Sequence, residues 1–170
     1  MWEFTGNKRP AFAEEPGDGQ ESVWDYPRPP AIVDATRAVR IEHGGQPVAS
    51  STKARRVLET ASPPSYYLPP GDVVEGALVP ASGQSWCEWK GAASYWALAD
   101  DPSGTPVAFS YENPSRAFES IRGYLGFYPG RLECYLDDER VRPQPGGFYA
   151  GWISDDIVGP VKGEPGTGHW

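Results

Sequence analysis

Short stretches of alternating apolar and polar residues, broken every few positions by Gly or Pro, recur along this 170-residue chain. A period of two marks half-buried strands rather than helices. Ala38-Val39-Arg40-Ile41-Glu42 reads as one strand, and Gly44-Gly45 turns it into a second at Pro47-Val48-Ala49-Ser50. Tyr66-Tyr67-Leu68 is a short strand closed by Pro69-Pro70, and Asp72 is placed to cap a turn through Val73 and Val74. Ser85 to Leu98 reads as a loop followed by a strand. Asp100-Asp101-Pro102-Ser103-Gly104 is a strong turn signal before a strand at Val107 to Tyr111. Tyr124 to Tyr128 and Leu132 to Leu136 are strands either side of Pro129-Gly130, and Asp137-Asp138 turns the chain again.

Two places break the alternation. After Thr52, a good N-cap, Ala54, Val57 and Leu58 fall on one face at helical spacing, which predicts a short helix from Lys53 to Glu59 ended by Ser62-Pro63-Pro64. Ser115 to Ile121 predicts a second, capped by Ser115. The expected fold is mainly β, with roughly six to eight short antiparallel strands and one or two short helices. Its form is a small open barrel or two curved sheets around a cavity.

Composition supports this picture. Nineteen Pro and twenty Gly disfavour long helices, and twenty-two aromatic residues can build a core from few aliphatics. The length favours a single domain. The net charge of −8 and the lack of a Lys/Arg run argue against a nucleic-acid partner. No apolar run is long enough to span a membrane, and Met1-Trp2-Glu3-Phe4-Thr5 lacks the features of a signal peptide. Two cysteines, Cys87 and Cys134, are too few for a disulfide scaffold. A cytoplasmic protein with free thiols is the simplest reading, and one Cys87–Cys134 bridge is the alternative.

Three regions follow. Residues 1–30 form a Pro-rich arm that nevertheless holds Trp2, Phe4, Phe12, Trp24 and Tyr26. Residues 31–145 form the core. Residues 146–170 are rich in Gly and Pro but carry Phe148, Tyr149, Trp152 and Trp170. Leaving an aromatic in water forfeits roughly 1.5–3 kcal/mol relative to burial, so both arms are expected to lie against the core or a partner subunit.

Several separated motifs resemble one family. Arg56-Val57-Leu58-Glu59-Thr60 comes first, then Pro63-Pro64-x-Tyr66-Tyr67-Leu68-Pro69-Pro70-x-Asp72-Val73. Cys87-x-x-Lys90-Gly91-x-Ala93-x-Tyr95-Trp96 and Gly123-Tyr124-Leu125-Gly126-Phe127-Tyr128 follow in order. Together they resemble the DUF427 family over residues 31 to about 141, with added arms. The resemblance implies a small, mostly β protein of bacterial or fungal type with no agreed activity, sometimes labelled a nucleotidyltransferase. It implies no catalytic residues.

The densest chemistry lies in Ser85-Trp86-Cys87-Glu88-Trp89-Lys90-Gly91. Cys87 is the one plausible thiol nucleophile, and a cation three residues away at Lys90 favours its thiolate. The blander reading of Cys87 is an inert buried thiol, and of Lys90 a solvated loop lysine. Arg56 and Glu59, three apart on the expected helix, could pair with each other or face a pocket with Tyr66 or Tyr67. Consecutive strand residues point to opposite faces, so only one of those tyrosines can join them. The candidate catalytic residues are therefore Lys90, Cys87 and Glu59, and the candidate ligand-binding residues are Arg56, Tyr66, Tyr67, Trp89 and Trp96. These segments are expected to meet at one concavity. His43 and His169 lie at a turn and near the end of the chain. Asp137-Asp138-Glu139, the single acidic cluster, reads as a hairpin rather than a metal site. No metal and no cofactor is expected. The favoured function is a pocket for a small molecule, as a metal-free enzyme or a binder. The alternative is a non-catalytic interaction module acting as a homodimer, and nucleotidyl transfer ranks last.

Overall fold

The computed structural model describes residues 1–170, and it is mainly β and open. Its strands, in chain order, begin with β1 (Glu21–Ser22), β2 (Ala31–Asp34), β3 (Val39–His43), β4 (Gln46–Ser51), β5 (Arg55–Leu58) and β6 (Ser65–Leu68). Next come β7 (Leu78–Cys87), β8 (Gly91–Leu98), β9 (Pro106–Ser110), β10 (Leu125–Phe127) and β11 (Glu133–Leu136). The shortest are last: β12 (Glu139–Arg140), β13 (Arg142–Pro143), β14 (Trp152–Ile153) and β15 (Ile157–Val158).

Seven strands form the large antiparallel sheet in the order β2-β5-β6-β10-β9-β8-β7, and four form a smaller one, β12-β11-β3-β4. The expected turns are in place: Gly44-Gly45 closes the β3–β4 hairpin, and Asp137-Asp138 closes β11–β12, with Asp137 at φ +51°. Asp is one of the few side chains that tolerates that left-handed conformation.

Between the two sheets lies the main core. Val39, Ile41 and Val48 of the small sheet meet Tyr66, Leu68, Ala108 and Phe127 of the large one. Trp152 completes it. Its ring stacks at 4.7 Å on Tyr66 and its indole N–H donates to the Phe127 carbonyl at 3.0 Å.

Two stretches form strands where a helix and a loop were expected. The stretch from Lys53 to Glu59 is not a helix; it contains strand β5. Ala31 to Asp34 pair along one side of it and Ser65 to Tyr67 along the other. A central strand gains two ladders of backbone hydrogen bonds, which outweigh the helical spacing of Ala54, Val57 and Leu58. Ser85 to Gly91 is likewise not a loop. It is the end of β7 and a tight hairpin, with Cys87 opposite Gly91. Gly91 sits at φ +100°, where a residue with a Cβ is strained.

The helical segments are three short 3₁₀ turns, at Val23–Asp25, Pro70–Asp72 and Arg116–Ile121. The Ser115 hydroxyl does not cap the last of these; it donates to the Trp89 carbonyl at 2.6 Å and so ties that turn to the β7–β8 hairpin.

The arms pair with each other. β1 runs parallel to β15. Phe4, Phe12, Trp24 and Trp170 form a cluster with ring centroids 5.2–6.2 Å apart. Below it, buried Val23, Trp24 and Tyr26 pack on Leu58 and Ala61 at the end of β5.

Candidate functional site

The face of the large sheet that turns away from the small sheet is only partly covered. Val57, Tyr67, Ala93, Phe109 and Tyr111 make an apolar floor there. One glycine shapes it: a Cβ on Gly126 would run into the Phe109 ring, so the bare backbone of β10 lets that ring lie flat against the sheet. Above the floor is a cleft of about 690 Å³. The arms also line it, through Trp2, Gly147 to Gly151 and Lys162, whose ammonium lies 4.8 Å from the Trp2 ring centre and 5.8 Å from that of Tyr149.

Five of the eight candidate residues line this cleft: Glu59, Tyr67, Cys87, Trp89 and Lys90. The other three do not. Tyr66 points into the main core against Trp152. Trp96, one residue after the cleft-facing Tyr95, packs against that same core and donates to Ser110 Oγ at 2.9 Å. Arg56 makes a two-pronged ion pair with Glu21 of the N-terminal arm, at 3.0 and 3.1 Å. The pairing of Arg56 with Glu59 expected from a helix is thus replaced, because a strand sends those side chains to different partners.

Glu59 instead meets Arg28. The guanidinium, with only 1% of its side chain exposed, donates through Nε to Glu59 Oε1 at 3.2 Å. It also donates to the main-chain oxygens of Phe4 (3.1 Å), Thr60 (2.9 Å) and Trp170 (3.3 Å), and Trp2 lies over it at 4.1 Å. A single side chain therefore ties the N-terminal arm, the core and the C-terminal arm together at one end of the cleft. Glu59 Oε1 also accepts from the Trp89 indole at 3.3 Å, and Oε2 has no protein partner.

The cleft is lined by charges of both signs, Glu59 and Glu88 with Lys90, Arg131 and Lys162. Most Arg side chains are ion-paired, whereas no Lys side chain meets an Asp or Glu. Arg37, for example, spans Asp137, Glu139 and Asp156, which makes the acidic hairpin an ion-paired turn. No Asp or Glu side chain lies within ion-pair distance of Lys90, Arg131 or Lys162. Lys90 Nζ lies 5.5 Å from the Tyr111 ring centre and 5.8 Å from that of Phe118. The Arg131 guanidinium stacks on Tyr128 at 4.2 Å. Lys162 donates to the Trp170 main-chain oxygen at 3.2 Å beneath Trp2. Burial, and then the neighbouring Arg28 charge, lower the Lys162 pKa below the usual lysine value. Burial raises the phenols of Tyr67 and Tyr111, and pushes Tyr128 up to about 12. They are neutral hydrogen-bonding groups at pH 7.

Both cysteines are free. Cys134 is buried in the main core, and burial pushes its thiol pKa up. Cys87 lies at the cleft wall. No group of three or more His, Cys, Asp or Glu side chains is placed to hold a metal ion.

Sequence reasoning did not find Arg28, Lys162, Tyr111, Tyr128 or Arg131. The arm residues carried no chemical signature, since their role depends on where the arms fold back. Tyr111 could have been found: it is two residues after Phe109, just past the end of β9, and packs in the same cluster.

Fold and site together define a small, mainly β protein with a lateral aromatic cleft, lined in part by its own arms. The chain belongs to the family described as Domain of unknown function (DUF427), whose model matches residues 31–138. No curated protein matches it. The matched region supplies the floor of the cleft and the β7–β8 hairpin, while Trp2, Lys162 and the 147–151 segment come from outside it. No helix is long and apolar enough to cross a membrane.

Proposed function

We propose that this protein binds a small organic molecule in the lateral cleft, and that Lys90, Cys87 and Glu59 are its reactive groups. One observation carries this reading: a cleft of about 690 Å³, the size of sites for small ligands, brings those three side chains onto an aromatic floor. A packed domain normally fills such a space with side chains. Glu59 is held by Arg28 and Trp89 with one oxygen open, which suits it to accept a proton from a bound molecule. Lys90 and Cys87 are the available nucleophiles, and the neutral phenols and Trp89 orient the ligand.

The test is recovery of the ligand. Full-length protein, purified gently and then denatured, is expected to release a small molecule detectable by mass spectrometry. Ala93→Phe, which fills the floor, is expected to release none while keeping the fold. A native protein that releases nothing, and whose melting temperature no compound in a diverse small-molecule panel raises, would sink the reading.

A second reading is a non-catalytic module that works as a homodimer. It is favoured by two bulky apolar side chains at the rim, Trp86 at 77% exposed and Phe148 at 75%. Pairing through the free edge of β7 is disfavoured by Pro80 and by the bulge between Ala81 and Gln84. Light scattering that gives twice the chain mass, reduced to one by Trp86→Ser with Phe148→Ser, would favour this reading.

A further inference from the structure

The hydrogen-bonding groups of the cleft point to the class of its occupant, an inference that rests on the pocket reading above. Charges of both signs line the cleft, so its charge selects no class of ligand. One phenol does. Tyr111 is only 7% exposed, yet its hydroxyl has no hydrogen-bond partner in the protein. Tyr26 and Tyr95, by contrast, are bonded to Glu21 and Ser85, each at 2.6 Å. No enclosed side-chain nitrogen or oxygen lacks a partner, so the Tyr111 oxygen is not sealed in the core. It opens on the cleft that Tyr111 lines. Burial, with Tyr67 nearby, raises this phenol and keeps it protonated at pH 7, so it is a neutral donor.

A donor set in apolar surroundings gains most from a ligand acceptor. Phe109, Phe118, Ile121 and Ala93 surround Tyr111. A charged oxygen would lose its hydration there, and Glu59 and Glu88 in the same cleft disfavour an anion, whereas a carbonyl oxygen gives up little. Lys90 Nζ, 5.5 Å from the Tyr111 ring centre, is a second donor on that side. Phe109 lies flat against Gly126 and meets Tyr67 edge-on at 5.8 Å, so the floor matches a flat apolar body. We propose that the cleft takes an uncharged aromatic carbonyl compound, its flat body on the Phe109–Ala93 floor and its carbonyl oxygen accepting a hydrogen bond from the Tyr111 hydroxyl.

The experiment compares fluorenone with fluorene on the folded full-length chain. The two share one flat outline, but fluorenone carries a carbonyl where fluorene carries a methylene. Fluorenone is expected to bind roughly three- to tenfold tighter by calorimetry, the worth of one hydrogen bond. Its carbonyl stretching band is expected at lower frequency in the protein than in cyclohexane. Tyr111→Phe removes only the hydroxyl and is expected to erase both differences. Tyr135→Phe, in the small sheet, is expected to leave both in place. Should Tyr111→Phe unfold, the band in the native chain and in Lys90→Met decides: it stays shifted where Tyr111 is the donor. A shift that Lys90→Met abolishes assigns the bond to the lysine and overturns the proposal. Equal affinity for the two compounds with an unshifted band overturns the carbonyl assignment and leaves the pocket standing. Binding of neither overturns the assignment and, where no compound of the wider panel binds, the pocket with it.

Discussion

Tyr66 and Tyr67 are consecutive on β6, and both are buried, but they belong to different environments. Tyr66 faces the small sheet and stacks on Trp152 in a closed interior. Tyr67 faces the other way, meets Phe109 edge-on at 5.8 Å, and lines an open cleft. The same division runs through the sheet: Ala108 and Leu125 on the closed face, Phe109 and Ala93 on the open one. Identical strands thus give one face whose side chains hold the molecule together and another whose side chains are free for chemistry. A sheet can divide its work this way because strand neighbours alternate sides.

The largest expected effect lies on the closed face. Trp152→Ala removes a fully buried indole together with its hydrogen bond to Phe127, and should cost about 3–5 kcal/mol. Chemical denaturation would show it as a large fall in midpoint. A loss below about 1 kcal/mol would mean that this face is not the closed one, and that the contrast between the faces is misplaced.

Arg28 tests whether the arms belong to the open face. Arg28→Met strips Glu59 of its ion pair and frees three main-chain oxygens, one in each arm and one in the core. Breaking a buried pair by removing one partner is strongly destabilising, but Glu59 is about a quarter exposed, so about 2–3 kcal/mol is the expected loss. Proteolysis should cut the variant within residues 1–30 well before the core. Equal resistance of native and variant chains would show that the arms hold without this clasp.

How far these two faces could be read from the sequence differs as well. Turns made by local chemistry were legible: Gly44-Gly45, Asp137-Asp138 and the Asp100 to Gly104 stretch all stand where their residue types required. β5 was not, because its ladder partners lie over twenty residues before it and several after it, and the local spacing of Ala54, Val57 and Leu58 suggested a helix. β7 escaped notice over Leu78 to Gln84, since an edge strand with Pro80 and Gly83 buries little and shows no alternation. In the site, the Cys87–Lys90 hairpin announced itself by chemical density. Which of Tyr66 and Tyr67 faced the cleft depended on which side the small sheet covered, a tertiary fact. Lys162 was invisible for a plainer reason: its role comes from the fold of an arm whose local sequence, Val161-Lys162-Gly163, reads as an ordinary loop.

The smallest effect is expected at Lys90, and it sharpens the comparison most. Its ammonium is not in an ion pair, and its contacts are the Tyr111 and Phe118 rings at 5.5 and 5.8 Å. Cation–π contacts at partly exposed sites contribute about 0.5–1 kcal/mol, and methionine keeps most of the apolar stem. Lys90→Met should therefore shift stability by less than about 1 kcal/mol, at the margin of a denaturation measurement. The same change removes a charge from the cleft and a nucleophile from the proposed reaction, so ligand retention or turnover should suffer where stability does not. A closed-face residue cannot show this split, because whatever disturbs it disturbs the fold. If Lys90→Met instead destabilises the chain as much as a core truncation, the lysine is a structural element, and the open face holds the molecule together as the closed one does.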